Sequence, residues 1–110
     1  GNSKIISRLL NVPNQELLRQ IGDNIRSQIE SGVICLAAEI QGKASIIIMV
    51  TSNLTGKLNA KDLIQQISPI ISGGGGGRPS IAQAGGTETK KLPEAMDSLT
   101  AIIKKILTSD

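Results

Sequence analysis

Apolar positions along this chain fall into two periods. KIISRLLNV (Lys4–Val12) is dense in Ile and Leu and predicts a first strand. The next stretch changes rhythm. Leu17, Leu18, Ile21, Ile25 and Ile29 recur at spacings of three and four, one face of a helix. Asn11 or Asn14 can cap its start, Pro13 suits its first turn, and Gly32 can supply a left-handed residue past its end. Arg19–Asp23 and Arg26–Glu30 stand four apart on the polar side and read as ion pairs of a solvated face.

GVICLAAEI and KASIIIMVT flank Gln41–Gly42, which predicts a β-hairpin. Ser45–Val50 is nearly all apolar, the mark of a central strand covered on both sides. NLTGKLN reads as a loop. Asn59 then caps a helix with apolar positions Leu63, Ile64, Ile67, Ile70 and Ile71, which Pro69 interrupts. After a glycine-rich stretch, SIAQAGG predicts a brief strand. Leu92, Met96, Leu99, Ile103 and Ile106 line a last helix with Pro93 near its start. Glu94 and Asp97 near that start and Lys104 and Lys105 near the end complement the helix dipole. The expected fold is α/β of the α+β type, a single domain over residues 1–110. Its order is β-α-β-β-α-(β)-α, with a mixed or antiparallel sheet of three to five strands and about three helices.

Composition narrows the chemistry. Hydrophobic residues make up 39% of the 110, yet Phe, Tyr and Trp are absent, so the core is aliphatic and no aromatic platform exists for a nucleobase. Without histidine, the commonest general base and imidazole metal ligands are missing. The single cysteine, Cys35, lies in an apolar run and reads as a buried structural thiol. No metal site and no cofactor are expected. A net charge of +3 permits contact with a polyanion without demanding it. No apolar run reaches the roughly 20 residues of a membrane span. The expectation is an intracellular, cytoplasmic chain that makes no membrane contact, and the opening Gly1 suggests a piece of a longer protein.

SPIISGGGGGRPSIAQAGGTETKK (Ser68–Lys91) poses the functional question. A run of glycines ordinarily reads as a helix cap and flexible linker. Only 33 residues follow Gly77, too few for a self-sufficient second domain, and the last helix needs an earlier sheet to pack on. The run therefore reads as a loop within one domain. Phosphate-loop spacing fails: the first glycine of that motif would be Ser72, the lysine Arg78 and the hydroxyl residue Pro79. The dinucleotide-binding Gly-x-Gly-x-x-Gly pattern also finds no register. What remains is backbone without Cβ atoms, offering close approach at Gly73, Gly74, Gly75, Gly76 and Gly77. Arg78 can hold a phosphate through two parallel bonds. Ser80 and Gln83 can meet a 2′-hydroxyl or base edge, and Gly85 and Gly86 continue the bare surface. Lys90 and Lys91 add screened attraction or merely solvate a turn.

GGGGGRPSIAQAGG (Gly73–Gly86), with Lys91, Leu92, Glu94 and Ala95 beyond it, resembles the signature near the C-terminus of alanyl-tRNA synthetases, the DHH-associated domain. The resemblance extends upstream over essentially the whole chain. Ser80 stands where that family commonly has Asp, and plain glycines stand where a Lys often intrudes. The resemblance implies a non-catalytic module that binds the elbow of tRNA, tRNA(Ala) being the implied species. Such a module helps couple aminoacylation with editing by other domains of the same chain. ATP and zinc are implied only for those other domains of the parent ligase. A dimerisation or structural module, with a homodimer as its assembly, is one alternative. The substrate-binding domain of a DHH-type phosphoesterase or of a free-standing alanyl-tRNA editing protein is another.

Overall fold

The computed structural model describes residues 3–108. The chain runs β1 (Lys4–Leu10), α1 (Gln15–Ser27), β2 (Gly32–Ile40), β3 (Lys43–Val50), α2 (Ala60–Ile67), β4 (Gly73–Arg78), β5 (Ile81–Gly86) and α3 (Leu92–Thr108). Short 3-10 turns cover Ser52–Leu54, Ser68–Ile71 and Thr89–Lys91. The five strands form one mixed sheet in the order β1-β2-β3-β5-β4, with β1 parallel to β2 and the other neighbours antiparallel. This is the expected α+β domain, with a fifth strand where a loop was expected.

Strand alternation divides the core into two layers. Val33, Cys35, Ala37, Ile46, Ile48, Val50, Ala82 and Ala84 face α2 and α3, which contribute Leu63, Ile64, Ile67, Leu99 and Ile103. Ile34, Leu36, Ala38, Ile47, Met49 and Ile81 face the other way, toward Leu18 of α1. β2 and β3 are buried almost end to end because helices cover both their faces, and β3 is the middle strand, as its unbroken apolar run predicts. Fully burying side chains such as Ile64 or Leu99 contributes about 1.5–3 kcal/mol each.

Local signals fix the elements. The Asn14 side chain accepts from the Leu17 N–H at 2.8 Å, so Asn14 rather than Asn11 caps α1. Gly22 lets that helix settle on the sheet, since a Cβ there would stand 2.9 Å from Met49 Cε. Gln41 and Gly42 have φ of 54° and 78°, the two left-handed residues of a tight hairpin turn. The Asn59 side chain accepts from the N–H groups of Lys61 and Asp62 and starts α2. That helix ends at Ile67, and Pro69 sits in the 3-10 turn that follows.

Four local expectations need correction. β1 stops at Leu10, two residues short of the expected end. Gly32 does not cap α1, which closes at Gln28; it opens β2, where a Cβ would lie 2.6 Å from the Lys4 carbonyl oxygen. Asp23 pairs with Arg26 at 2.8 Å, not with Arg19, and among the described residues Arg26 makes no pair with Glu30. The glycine run is not a loop. Gly73–Arg78 pairs along its whole length with Ile81–Gly86, so partner backbone, rather than any side-chain pattern, makes it a strand.

Candidate nucleic-acid interface

β4 is an edge strand, so alternate N–H and C=O groups along it point away from the sheet. Its glycines are of two kinds. A Cβ on Gly73, Gly75 or Gly77 would lie 1.9, 2.2 or 2.4 Å from a β5 carbonyl oxygen. A Cβ on Gly74 or Gly76 would meet nothing within 4 Å. The first set lets the two backbones approach; the second leaves bare chain facing solvent. Gly77, at φ 153°, also holds a conformation L side chains rarely adopt.

The hairpin is pinned at its tip. Arg78 and Ile81 close it around Pro79–Ser80. The Pro79 carbonyl accepts from the Ala60 N–H at 2.9 Å, and the Ser80 carbonyl accepts from Val50 N–H at the same distance. The turn thus ties β4 and β5 to the start of α2 and the end of β3. α2 packs beneath β4, while α1 packs chiefly over β2 and β3. The α1 side of the hairpin is left open.

Register decides what that open side carries. Ile81 lies between Met49 and Arg78, Gln83 between Ile47 and Gly76, and Gly85 between Ser45 and Gly74. Since Met49, Ile47 and Ile81 belong to the α1-side core, Arg78, Gly76, Gln83, Gly74 and Gly85 share that face. Gly76, Gly77, Arg78 and Gln83 line a shallow depression of about 230 Å³, and Arg19 of α1 forms its other wall. Neither Arg19 nor Arg78 has an ion-pair partner among the described residues. Both guanidinium forks are available for a phosphate, which they fit with two parallel bonds.

The other expected site residues are spread more widely. Ser80 is half-buried in the turn, and Gly85 and Gly86 line a second cleft with Gln15 and Lys43. Lys90 opens on a different cleft, beside Leu9, Leu10 and Glu39. Lys91 pairs with Glu94 at 3.6 Å on the surface. The structure therefore joins Arg78, Gln83, Gly76 and Gly77, with Gly74 and Gly85 on the same face, and sets Gly73, Gly75, Gly86 and the two lysines apart from them. Arg19 was not among the expected site residues because Asp23, four positions on, offered it a local partner. The signal that could have found it is Arg26, three beyond Asp23 and the carboxylate's actual partner. Cys35 lies outside this surface, fully buried under α2 and α3, and burial pushes its thiol up to about 12. No helix among the described residues is long and apolar enough to cross a membrane.

A five-stranded mixed sheet closed by a glycine edge hairpin is a known domain type. The DHHA1 domain family model matches residues 1–105, and the chain belongs to that family. The alanine–tRNA ligase of Roseiflexus sp. (strain RS-1) is 40% identical over 104 residues, 94% of this chain and 12% of the ligase. That of Levilactobacillus brevis is 46% identical over 96 residues, 87% of this chain and 11% of the ligase. The crystal structure of the C-Ala domain from Aquifex aeolicus alanyl-tRNA synthetase matches with a TM-score of 0.82 and 30% identity. That match covers 99% of this chain and 95% of that one. The chain thus spans about an eighth of the length of these ligases.

Proposed function

We propose that this domain is a non-catalytic RNA-binding module of an alanine–tRNA ligase. It holds the elbow of tRNA, tRNA(Ala) in particular, and helps the aminoacylation and editing domains of the same chain act on one bound molecule. The observation that carries the reading is the open side of the β4–β5 hairpin. There, bare backbone and a guanidinium without an ion-pair partner among the described residues face the same way, beside a second arginine. Family membership supplies the RNA, since the relatives are ligases of a tRNA. Recognition rests on shape and phosphate contact, because the chain offers no aromatic side chain for stacking. We assign no catalytic step, metal or cofactor to the domain. ATP and zinc belong to other parts of such a parent, and the cytoplasm is where it works.

Filter binding of the 110-residue chain to a tRNA(Ala) transcript tests this. Binding should be measurable at low salt and weaken as salt rises. Arg78→Ala should reduce affinity by about 1–3 kcal/mol, the range for a well-made charge-assisted contact. Absence of binding at low salt would overturn the reading. Sedimentation on the same samples addresses the dimer alternative: concentration-dependent self-association without RNA binding would favour a structural module.

A further inference from the structure

The depression beside Arg78 continues along the flank of α1. Gln83 lines both it and a small dip bounded by Gln15, Leu18 and Ser45. Gln15 and Ser45 in turn line a cleft of about 610 Å³ that also takes in Lys43, Ser72, Gly85 and Thr87. The three lie in a row between α1 and the β5–β4 hairpin, linked by the shared residues Gln83, Gln15 and Ser45, and the middle one is a dip of only about 10 Å³, so the furrow they outline is shallow at its centre. Gln15 and Arg19, one helical turn apart, form one bank. The floor follows β5 from Ile81 to Gly85, roughly 14 Å at strand rise. Gly74, Gly76 and Gly85 keep it low.

Its charge is of one sign. Arg19 and Arg78 stand at one end and Lys43 at the other, and no Asp or Glu lines any of the three depressions. The three cations have no ion-pair partner among the described residues, although the chain carries nine carboxylates. Between the charged ends apolar Leu18, Ile46 and Ile47 line the floor, and the polar side chains among them, Gln15, Ser45 and Gln83, are neutral. Gln15 Nε2 donates to Ser45 Oγ at 2.6 Å, which leaves the Gln15 carbonyl oxygen free to accept. Gln83 is half-buried and makes no side-chain hydrogen bond among the described residues. Amides of this kind match a 2′-hydroxyl, which donates and accepts.

We propose that this furrow is the track for a single strand of RNA backbone. Arg19 and Arg78 hold phosphate at one end and Lys43 holds a phosphate further along, with Gln15 and Gln83 against the ribose between them. The assignment rests on the RNA-binding reading above and adds three residues to it, Arg19, Gln15 and Lys43. It also gives the bound strand a direction across the molecule, along β5 rather than along the outer edge of β4.

Arg19 and Lys43 are exposed, so their variants should keep the fold, which circular dichroism and urea melts check. The 110-residue chain is titrated against a tRNA(Ala) transcript at several salt concentrations. Arg19→Ala and Lys43→Ala should each weaken binding about tenfold and lower the salt slope by about one. Arg19→Lys should keep the slope and recover only part of the affinity, because an ammonium cannot make the paired contact. Lys104→Ala, on the far side of the molecule beside Lys57 and Leu107, should change neither quantity. If Arg19→Ala and Lys43→Ala match wild type while Arg78→Ala weakens binding, the furrow is refuted and the RNA-binding reading survives. A Lys104→Ala loss as large as theirs would also refute it, as diffuse attraction. A wild-type chain that binds no tRNA refutes both.

Discussion

Single residues divide cleanly between core and site. Cys35 carries the one thiol, and desolvation holds its pKa near 12 against 9.0 for an exposed group. Below about 9 the thiol is neutral in both folded and unfolded chains. Above that the unfolded chain loses its proton first, so stability falls as pH rises from about 9 toward 12. The native protein should therefore resist a thiol reagent at pH 8 and react fully in urea. Cys35→Ala should flatten the alkaline fall in urea midpoint; an equal fall in wild type and variant would show that Cys35 does not contribute. Cys35 was legible because an apolar run predicts burial. Arg19 was not, because sequence spacing lists the partners a side chain could reach, whereas packing decides which one it takes.

At the scale of elements, β4 is the informative case. Its two sets of glycines should respond oppositely to alanine. Gly75→Ala and Gly77→Ala force a methyl onto β5 backbone and should cost about 1–3 kcal/mol, as overpacking and backbone strain do. Gly74→Ala and Gly76→Ala point into open space and should lie within about 1 kcal/mol of wild type. Both should nevertheless weaken tRNA binding, by raising the floor of the furrow. Urea unfolding and filter binding on the four variants check the pattern; equal destabilisation across all four would refute it. This strand also shows the limit of reading elements from sequence. α1, the β2–β3 hairpin, α2 and α3 were legible because their side chains carry a period, a cap or a turn. Glycine has no side chain to alternate and weak strand propensity, so only pairing with β5 reveals it.

Across the whole molecule, unequal coverage of one sheet creates the candidate site. α2 and α3 cover one face, whereas α1 shields chiefly β2 and β3 on the other, and the candidate surface is the part it leaves bare. The sheet half of the candidate site was legible in a motif contiguous in sequence, Gly73–Gly86. The helical half proposed for it was not, because Arg19 lies more than fifty residues upstream of Gly73 and only the fold brings it alongside. Carried in a full-length alanine–tRNA ligase of this family, Arg78→Ala should raise the KM for tRNA while leaving amino-acid activation, which needs no tRNA, unchanged. Pyrophosphate exchange and aminoacylation kinetics separate the two, and a loss of activation would argue against a role confined to tRNA binding.

An uncovered β-edge is ordinarily an invitation to aggregate, and proteins blunt such edges with lysines, prolines or bulges. Here the blunting is done by having nothing there. Stacked strands cohere when side chains interdigitate between sheets, and five consecutive glycines supply none. The same emptiness that, in the proposed function, admits a strand of RNA leaves a stray polypeptide only backbone groups to pair with and no side chains to interlock, which weakens the edge as a seed for stacked sheets.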